Sequence, residues 1–407
     1  VAGRYGDSTV RPTVVGLVSA TANLLVLGAF LRDEQHGSRV TPLLWVVGLF
    51  ASSALLAWAG GALGRRGRRV CDEADALPPP ASLFAWVAAA TVFLLLVTGG
   101  LVTGLESGLA VPDWPNSFGH NMLLYPISEM KGGIYYEHAH RLYGMLVGTT
   151  TLVLVSVLWR EDRRGWIRGL ALGLLAMVCV QGLMGGLRVT GRITLEQDPS
   201  LLSPSTHFAI AHGVFGQIVF AVFLIVAAAT TRTWLRAQPT ARLGSTGDRD
   251  GAAILPALLV VQLLLGAMYR HLQPEGGGGP TSPEHPMWAI YAHIAMAIVV
   301  TAAVILAGGR AWAHDAHPIL RRLGQGLLLL TGVQLVLGVV AVAAVWTRPS
   351  GTISIFEVVS TTLHQATGAL ILGSAALLAV WTRRLLLPEP ERGWSAAAEV
   401  TRSRAPA

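Results

Sequence analysis

The polar positions of this chain gather in short clusters, and between the clusters apolar residues run on. Leu142 to Trp159 is almost purely apolar. A membrane span needs about 20 mostly apolar residues. Ten stretches qualify, at roughly 11–31, 41–63, 81–104, 138–159, 166–187, 206–230, 252–270, 286–308, 319–346 and 355–381. The arginines fall in alternate loops. "GRRGRR" (64–69), "REDRRGWIR" (160–168), the 231–250 loop with Arg232, Arg236, Arg242 and Arg249, the 309–322 loop and the tail after Arg383 are basic. Loops 32–40, 105–137, 188–205, 271–285 and 347–354 are poorer in arginine. Because Lys and Arg favour cytoplasmic loops, both termini are expected inside and the 105–137 loop outside.

That outer loop reads "GLESGLAVPDWPNSFGHNMLLYPISEMKGG". Its prolines and glycines exclude a long helix, and its aromatics suit an interfacial position. "EGGGG" (275–279) marks a shorter flexible outer loop, and "RAQPTARLGSTGDRD" (236–250) reads as an inner linker.

The helices on either side of the linker repeat. "QGLMGG" at Gln181 answers "QLVLGV" at Gln334, "HGVFGQ" at His212 answers "HQATGA" at His364, and "HRLYGM" at His140 answers "HIAMAI" at His293. The offsets are 153, 152 and 153 residues. Four helices per unit restore the same membrane orientation, so the repeat is parallel, with its pseudo-axis along the membrane normal. The first two spans lie outside it. The expected fold is an all-α polytopic membrane protein: two pseudo-symmetric four-helix units plus two N-terminal helices. The division is 1–80 for the N-terminal pair and its basic loop, and 81–235 for the first unit. An inner linker follows at 236–251, then the second unit at 252–383 and a cytoplasmic tail at 384–407.

Composition agrees: 52% hydrophobic, 13% charged, mean hydropathy +0.54, against about 25% charged in soluble proteins. The net charge of +7 therefore points to no nucleic acid, and no basic patch interleaves with aromatics. Cys71 and Cys179 stand at opposite depths, which disfavours a disulfide, and two cysteines make no cysteine-ligated metal site. No cleavable signal is evident.

The repeat gives each unit one histidine pair, His140 with His212 and His293 with His364, near the outer ends of their spans. Ionisable residues in membrane helices are functional candidates. Each histidine alone could be a helix-end or interhelical bond, but four at equivalent positions and equal depth favour a shared ligand. Zinc wants three or four ligands, whereas heme iron takes one or two, usually histidine. Gly144, Gly213 and Gly368 offer room for a macrocycle. A quinone gives no reason for paired imidazoles.

The units differ at one position: Glu137 precedes His140 by three residues, and Ile290 precedes His293. Residues three apart share a helix face, so Glu137 is expected in the same pocket as His140. There it could relay protons or stabilise a developing cation; the alternative is a partner for the helix N-terminus. His138 is expected to face water or headgroups. Arg141, Arg188 and Arg270 with His271 could hold heme propionates or act as interfacial anchors. His207, five residues before His212, points off its face, and His285 lies in a loop.

"LLLVTGGLVTGLESGLAVPDWPNSFG" (94–119), "EHAHRLYG" (137–144), "QGLMGGL", "HGVFGQ", "QLLLGAMYRH" and "TTLHQATGALIL" together resemble the heme A synthase family, over about residues 81–383. The resemblance implies oxidation of the C8 methyl of heme O to the formyl group of heme A, for cytochrome oxidase. It implies prosthetic heme b on His293 and His364, a catalytic half lined by His140 and His212, and Glu137 at the family's essential glutamate. The heme O substrate would come from a heme O synthase, electrons from an unidentified donor, and the setting would be a prokaryotic inner membrane, with room for an oligomer. Three features depart from the family: no cysteine pair in 105–136, Thr103 where an Arg is common, and the two extra N-terminal spans. The rival is a di-heme b-type electron-transfer protein without catalytic activity. A transporter would place its polar groups at mid-membrane, and a fused heme O synthase would need clustered aspartates.

Overall fold

The structure, a computed structural model, describes residues 40–66, 79–190, 206–241, 245–272, 287–314, 316–348 and 353–388, with a few positions between 13 and 20. Most of the expected 11–31 span, Cys71 and His285 lie outside the described residues. The helices are α1 (Val40–Arg66), α2 (Pro80–Gly104), α3 (Gly133–Glu161), α4 (Gly165–Thr190), α5 (Thr206–Ala229), α6 (Arg232–Arg236), α7 (Ser245–His271), α8 (Met287–Trp312), α9 (Pro318–Trp346) and α10 (Ile355–Leu385). Eight of them, α2–α5 and α7–α10, are long and apolar enough to cross a membrane. The protein is all-α and polytopic. Among the described residues a single two-stranded sheet joins β1 (Thr240–Ala241) to β2 (Leu386–Leu387) in parallel.

Helix ends follow local chemistry. Pro80 and Pro318 occupy first-turn positions, where the missing N–H loses nothing. Ser354 caps α10 by accepting the Glu357 N–H at 3.1 Å. Two boundaries differ from the sequence reading. Helix α7 begins at Ser245, inside the stretch read as linker, because Asp248 in its first turn suits a helix N-terminus and is held by Arg310 and His314. Helix α3 begins at Gly133 after Gly132, whose φ of +54° turns the chain into it. The polar cluster Glu137–Arg141 thus sits a turn inside the helix.

Helices α2, α3, α4 and α5 pack in a closed ring, and α7, α8, α9 and α10 form a second. The rings meet through α2 and α5 on one side and α7 and α10 on the other, which makes α5 and α10 the most buried spans. Gly100 and Gly104 let α2 approach α10 closely: side chains added there would run into Gln365 and Val358. This is the small-residue spacing that membrane helices use for tight crossing.

Each ring has its own apolar core, and both cores fill the same end. The first joins Ala81–Val92, Val147–Leu158, Ile167–Leu174 and Val219–Ala229; the second joins Ala252–Leu259, Val300–Ala311, Leu320–Leu327 and Ile371–Leu386. These segments lie toward the arginine-rich loops. At the opposite end, where the 105–132 loop sits, the dense core stops, and all four paired histidines stand there.

Candidate functional site

Each histidine is seated by the helix before it in the chain. A side chain added at Gly99 on α2 would stand 3.1 Å from Cε1 of His140 on α3. Gly185 on α4 faces His212 on α5 at 3.2 Å, Gly266 on α7 faces His293 on α8 at 3.0 Å, and Gly338 on α9 faces His364 on α10 at 3.1 Å. The molecule therefore repeats one device four times: a hairpin with a glycine on its first helix and a histidine on its second.

Within each ring the two histidines face each other. The His140 and His212 ring centroids are 6.5 Å apart with planes at 78°, and those of His293 and His364 are 6.3 Å apart at 67°. Metal–imidazole bonds run about 2 Å, and a ring centroid lies about 1.2 Å behind its nitrogen, so two imidazoles on one metal stand roughly 6.4 Å apart. Both pairs fit one axially held iron. Among the described residues no group of three or more His, Cys, Asp or Glu could hold a metal ion, which excludes a zinc-type ligand set there.

Hydrogen bonds settle which nitrogen faces the gap. His212 Nδ1 lies 3.1 Å from the Gln181 carbonyl and His293 Nδ1 lies 3.0 Å from the Gln262 carbonyl. A carbonyl only accepts, so in these two rings Nδ1 carries the hydrogen and Nε2 the lone pair; in His293 the Gln262 amide also lies 3.2 Å from Nε2 and would turn aside for a metal. Gly144 and Gly213 have open space where a side chain would be, as expected of positions that admit a macrocycle. Gly368 differs from that expectation: it packs against the Gln334 amide and Leu263, because the glutamine fills the space its missing side chain leaves.

The 105–132 loop covers the first ring's histidine end and is tied to α3. Glu137 is 3% exposed. Its Oε2 accepts the Val111 N–H at 2.9 Å, and its Oε1 pairs with Arg141 at 2.6 Å. Arg141 donates onward to the carbonyls of Val111, Asp113 and Asn116 at 2.7, 2.6 and 3.1 Å. Its two terminal nitrogens are thus engaged by protein, and as placed it braces the loop. Asp113 folds the loop tip by accepting the Phe118 and Gly119 amides at 2.7 and 2.8 Å. Burial pushes its carboxyl up, but those amides and Arg141 outweigh it and hold the carboxyl below the usual carboxylate range. The Trp114 ring lies over Gly186, beside the seat of His212.

His138 overturns its expectation. It is 1% exposed, with Nδ1 3.0 Å from Ser117 Oγ and its ring 5.0 Å from Tyr125. The loop was expected to leave it to water; instead the loop closes over it, and Nε2 has no hydrogen-bond partner.

Of the other candidates, the Arg188 guanidinium lies against Gly108 of the loop, 2.7 Å from where a side chain would begin. Arg270 donates to the Thr103 carbonyl at 2.6 Å and lies 4.0 Å from Glu106. It ties the end of α7 to the end of α2. Nearby, Arg348 pairs with Glu357, which is 2% exposed, and lies 3.6 Å from Glu106. Sequence reasoning missed Glu106, Arg348 and Glu357, which the repeat did not mark. It used Gln181 and Gln334 only as markers of the repeat and missed their place behind the histidines, as it missed Gln262. Gln181, Gln262 and Gln334 each stand four residues before a seating glycine, a spacing legible in the chain. His207 is exposed, off the shared face.

With this geometry in place, comparisons with known proteins agree on one family. Residues 82–274 match the family model described as "Cytochrome oxidase assembly protein". Heme A synthase of Rhodospirillum centenum is 26% identical over 332 residues, 69% of this chain and 85% of that protein. Heme A synthase of Beijerinckia indica is 25% identical over 218 residues, 47% of this chain and 58% of its own length. Heme A synthase COX15 of Homo sapiens is 29% identical over 143 residues, 28% of this chain and 33% of that protein. The chain thus spans most of the first relative's length, but little more than half and a third of the other two.

Proposed function

We propose, from its match to the cytochrome oxidase assembly family model over residues 82–274 and its likeness to heme A synthases, that the chain is a member of the heme A synthase family and oxidises the C8 methyl group of heme O to the formyl group of heme A. The reaction would proceed by successive hydroxylations, each taking one oxygen atom from dioxygen while donor electrons and protons reduce the other to water, to a hydrated aldehyde that loses water. The observation that carries this reading is the coexistence of likeness and difference: two imidazole pairs spaced 6.5 and 6.3 Å apart, with buried Glu137 one helical turn before His140 and Ile290 at the matching place before His293.

In this reading His293 and His364 hold prosthetic heme b, and His140 and His212 line the half that receives heme O. Bound iron supplies the oxidative chemistry and the path for electrons, which come from a donor not yet identified; the protein supplies orientation and proton handling. Gly99 and Gly185 let the two imidazoles approach. The 105–132 loop, with Trp114 over Gly186, shields that half from water. Glu137 stands one helical turn from His140 and serves as proton acceptor or as counter-charge to a developing cation. Arg188, on the loop side of the same half, is a cation for a substrate carboxylate. The setting is a prokaryotic inner membrane with the loop end outside, and heme O would be delivered by a heme O synthase.

The near-identical ring spacing of the two pairs favours one second reading, a di-heme electron carrier. Glu137 separates them, because a carrier has no use for an acid beside one pair. Glu137→Ala is expected to leave heme b bound, seen in its reduced spectrum, and to abolish heme A formation. Undiminished heme A would remove the carboxylate from the reaction.

A further inference from the structure

The four histidine seats share their glycine and differ four residues before it. Gln181 precedes Gly185, Gln262 precedes Gly266 and Gln334 precedes Gly338, but Leu95 precedes Gly99. The glutamines hold their histidines. Gln181 and Gln262 take the facing imidazole Nδ1 on their backbone carbonyls, at 3.1 and 3.0 Å. Their side-chain amides return a bond to the carbonyls of His212 and His293, at 2.8 and 3.1 Å. The third seat differs: the Gln334 amide lies 3.4 Å from His364 Nε2, and His364 Nδ1 has no hydrogen-bond partner.

Leu95 has no side-chain amide to return such a bond. Among the described residues, the bond that His140 makes from its ring is to Thr98 Oγ1, at 3.2 Å. Thr98 has already given its proton to the Leu95 carbonyl at 2.9 Å. A hydroxyl whose proton is committed can only accept, so it fixes hydrogen on Nδ1 and directs the Nε2 lone pair toward His212. The tautomer is the one a metal needs, but the hold is a single bond to a side chain that can rotate.

We propose that Thr98 is the positioning residue of His140, and that Leu95, by withholding the glutamine that stands behind His212, leaves His140 the more easily displaced of the two imidazoles in the first ring. Partners behind a metal-bound histidine fix its orientation and raise its basicity, and their loss commonly weakens metal binding 10–100-fold. The first pair has one firm and one loose member, as suits a centre that must open a coordination position. This inference rests on the heme reading above and specifies which side opens.

The test uses the full-length protein reconstituted with hemin, reduced, and titrated with carbon monoxide, which binds only where an axial ligand yields. The variants are Leu95→Gln with Thr98→Leu, which puts at 95 and 98 the residues that stand at Gln262 and Leu265 in the His293 seat, together with Thr98→Val and Thr98→Ser. Wild type is expected to bind carbon monoxide at one of its two hemes. The double variant should bind it at least tenfold more weakly with both hemes retained. Thr98→Val should release the first-ring heme to apomyoglobin about tenfold faster, and Thr98→Ser should restore the wild-type rate. Equal carbon monoxide affinity in wild type and double variant would overturn the proposal while leaving heme binding intact. A wild-type protein that takes up no heme would overturn the heme reading and this inference with it.

Discussion

Glu137 is held at both oxygens, and that shapes what its replacement does. Removing the carboxylate strands Arg141, whose side chain is 9% exposed. Breaking a buried ion pair at one partner is destabilising by about 3–5 kcal/mol. Glu137→Gln separates chemistry from support: its amide oxygen can still take the Val111 N–H. It should keep the loop in place, seen as unchanged protease resistance of residues 105–132, yet make no heme A. If Glu137→Gln restores heme A that Glu137→Ala loses, the residue acts only through the loop. Asp113 gives the loop a pH signature. Its folded carboxyl is depressed, so its contribution is full above the ordinary Asp value of about 3.9 and is lost as pH falls through the folded value. Protection of the Phe118 and Gly119 amides, corrected for intrinsic exchange, should stay level from pH 7 to 5 and fall only below about 4. A drop between pH 6 and 5 would assign the loop to another group. The sequence showed that Glu137 and His140 share a face, because helical spacing fixes that. It hid that His138 is buried, since the cover comes from Ser117 and Tyr125 in a loop with no periodicity to read.

Among the elements, the repeated unit is the hairpin, finer than the four-helix repeat visible in the sequence. Histidine spacing reveals the larger period because the residues recur at offsets of 152 and 153. The smaller one rests on glycines, which are common in apolar helices and look like packing residues until a facing ring is seen. Gly266 tests the element directly. A side chain there would start 3.0 Å from His293 Cε1, closer than the ring can accept without turning. Gly266→Val should therefore empty the second ring of heme b, read as loss of its reduced absorption band, while the first ring still takes up hemin. Retention of both hemes would show that the seat is not needed. Helix α7 carries a related lesson. Its first turn looked like linker because it is polar, yet Asp248 bonds to Arg310 and His314 on the neighbouring helix, a tertiary contact that overrides local composition.

The whole molecule is two rings with dense cores at one end and histidine pairs at the other. Nearly every span was legible, since lipid requires long apolar runs, and the paired histidines followed from the repeat. What set the rings apart was only partly legible. The extra acid could be read directly, but the Leu95 seat and the clasped loop depend on which helices touch. The network of Glu106, Arg270, Arg348 and Glu357 joins the rings at the histidine end, so the pairs are held in one frame. The central claim, that one ring transforms a heme while the other serves it, is tested most directly by what the protein makes. Hemes extracted from cells that produce heme O but no heme A, and that express this chain, should contain heme A. Extracts with only hemes B and O, from cells in which the protein is present and holds heme, would contradict the claim.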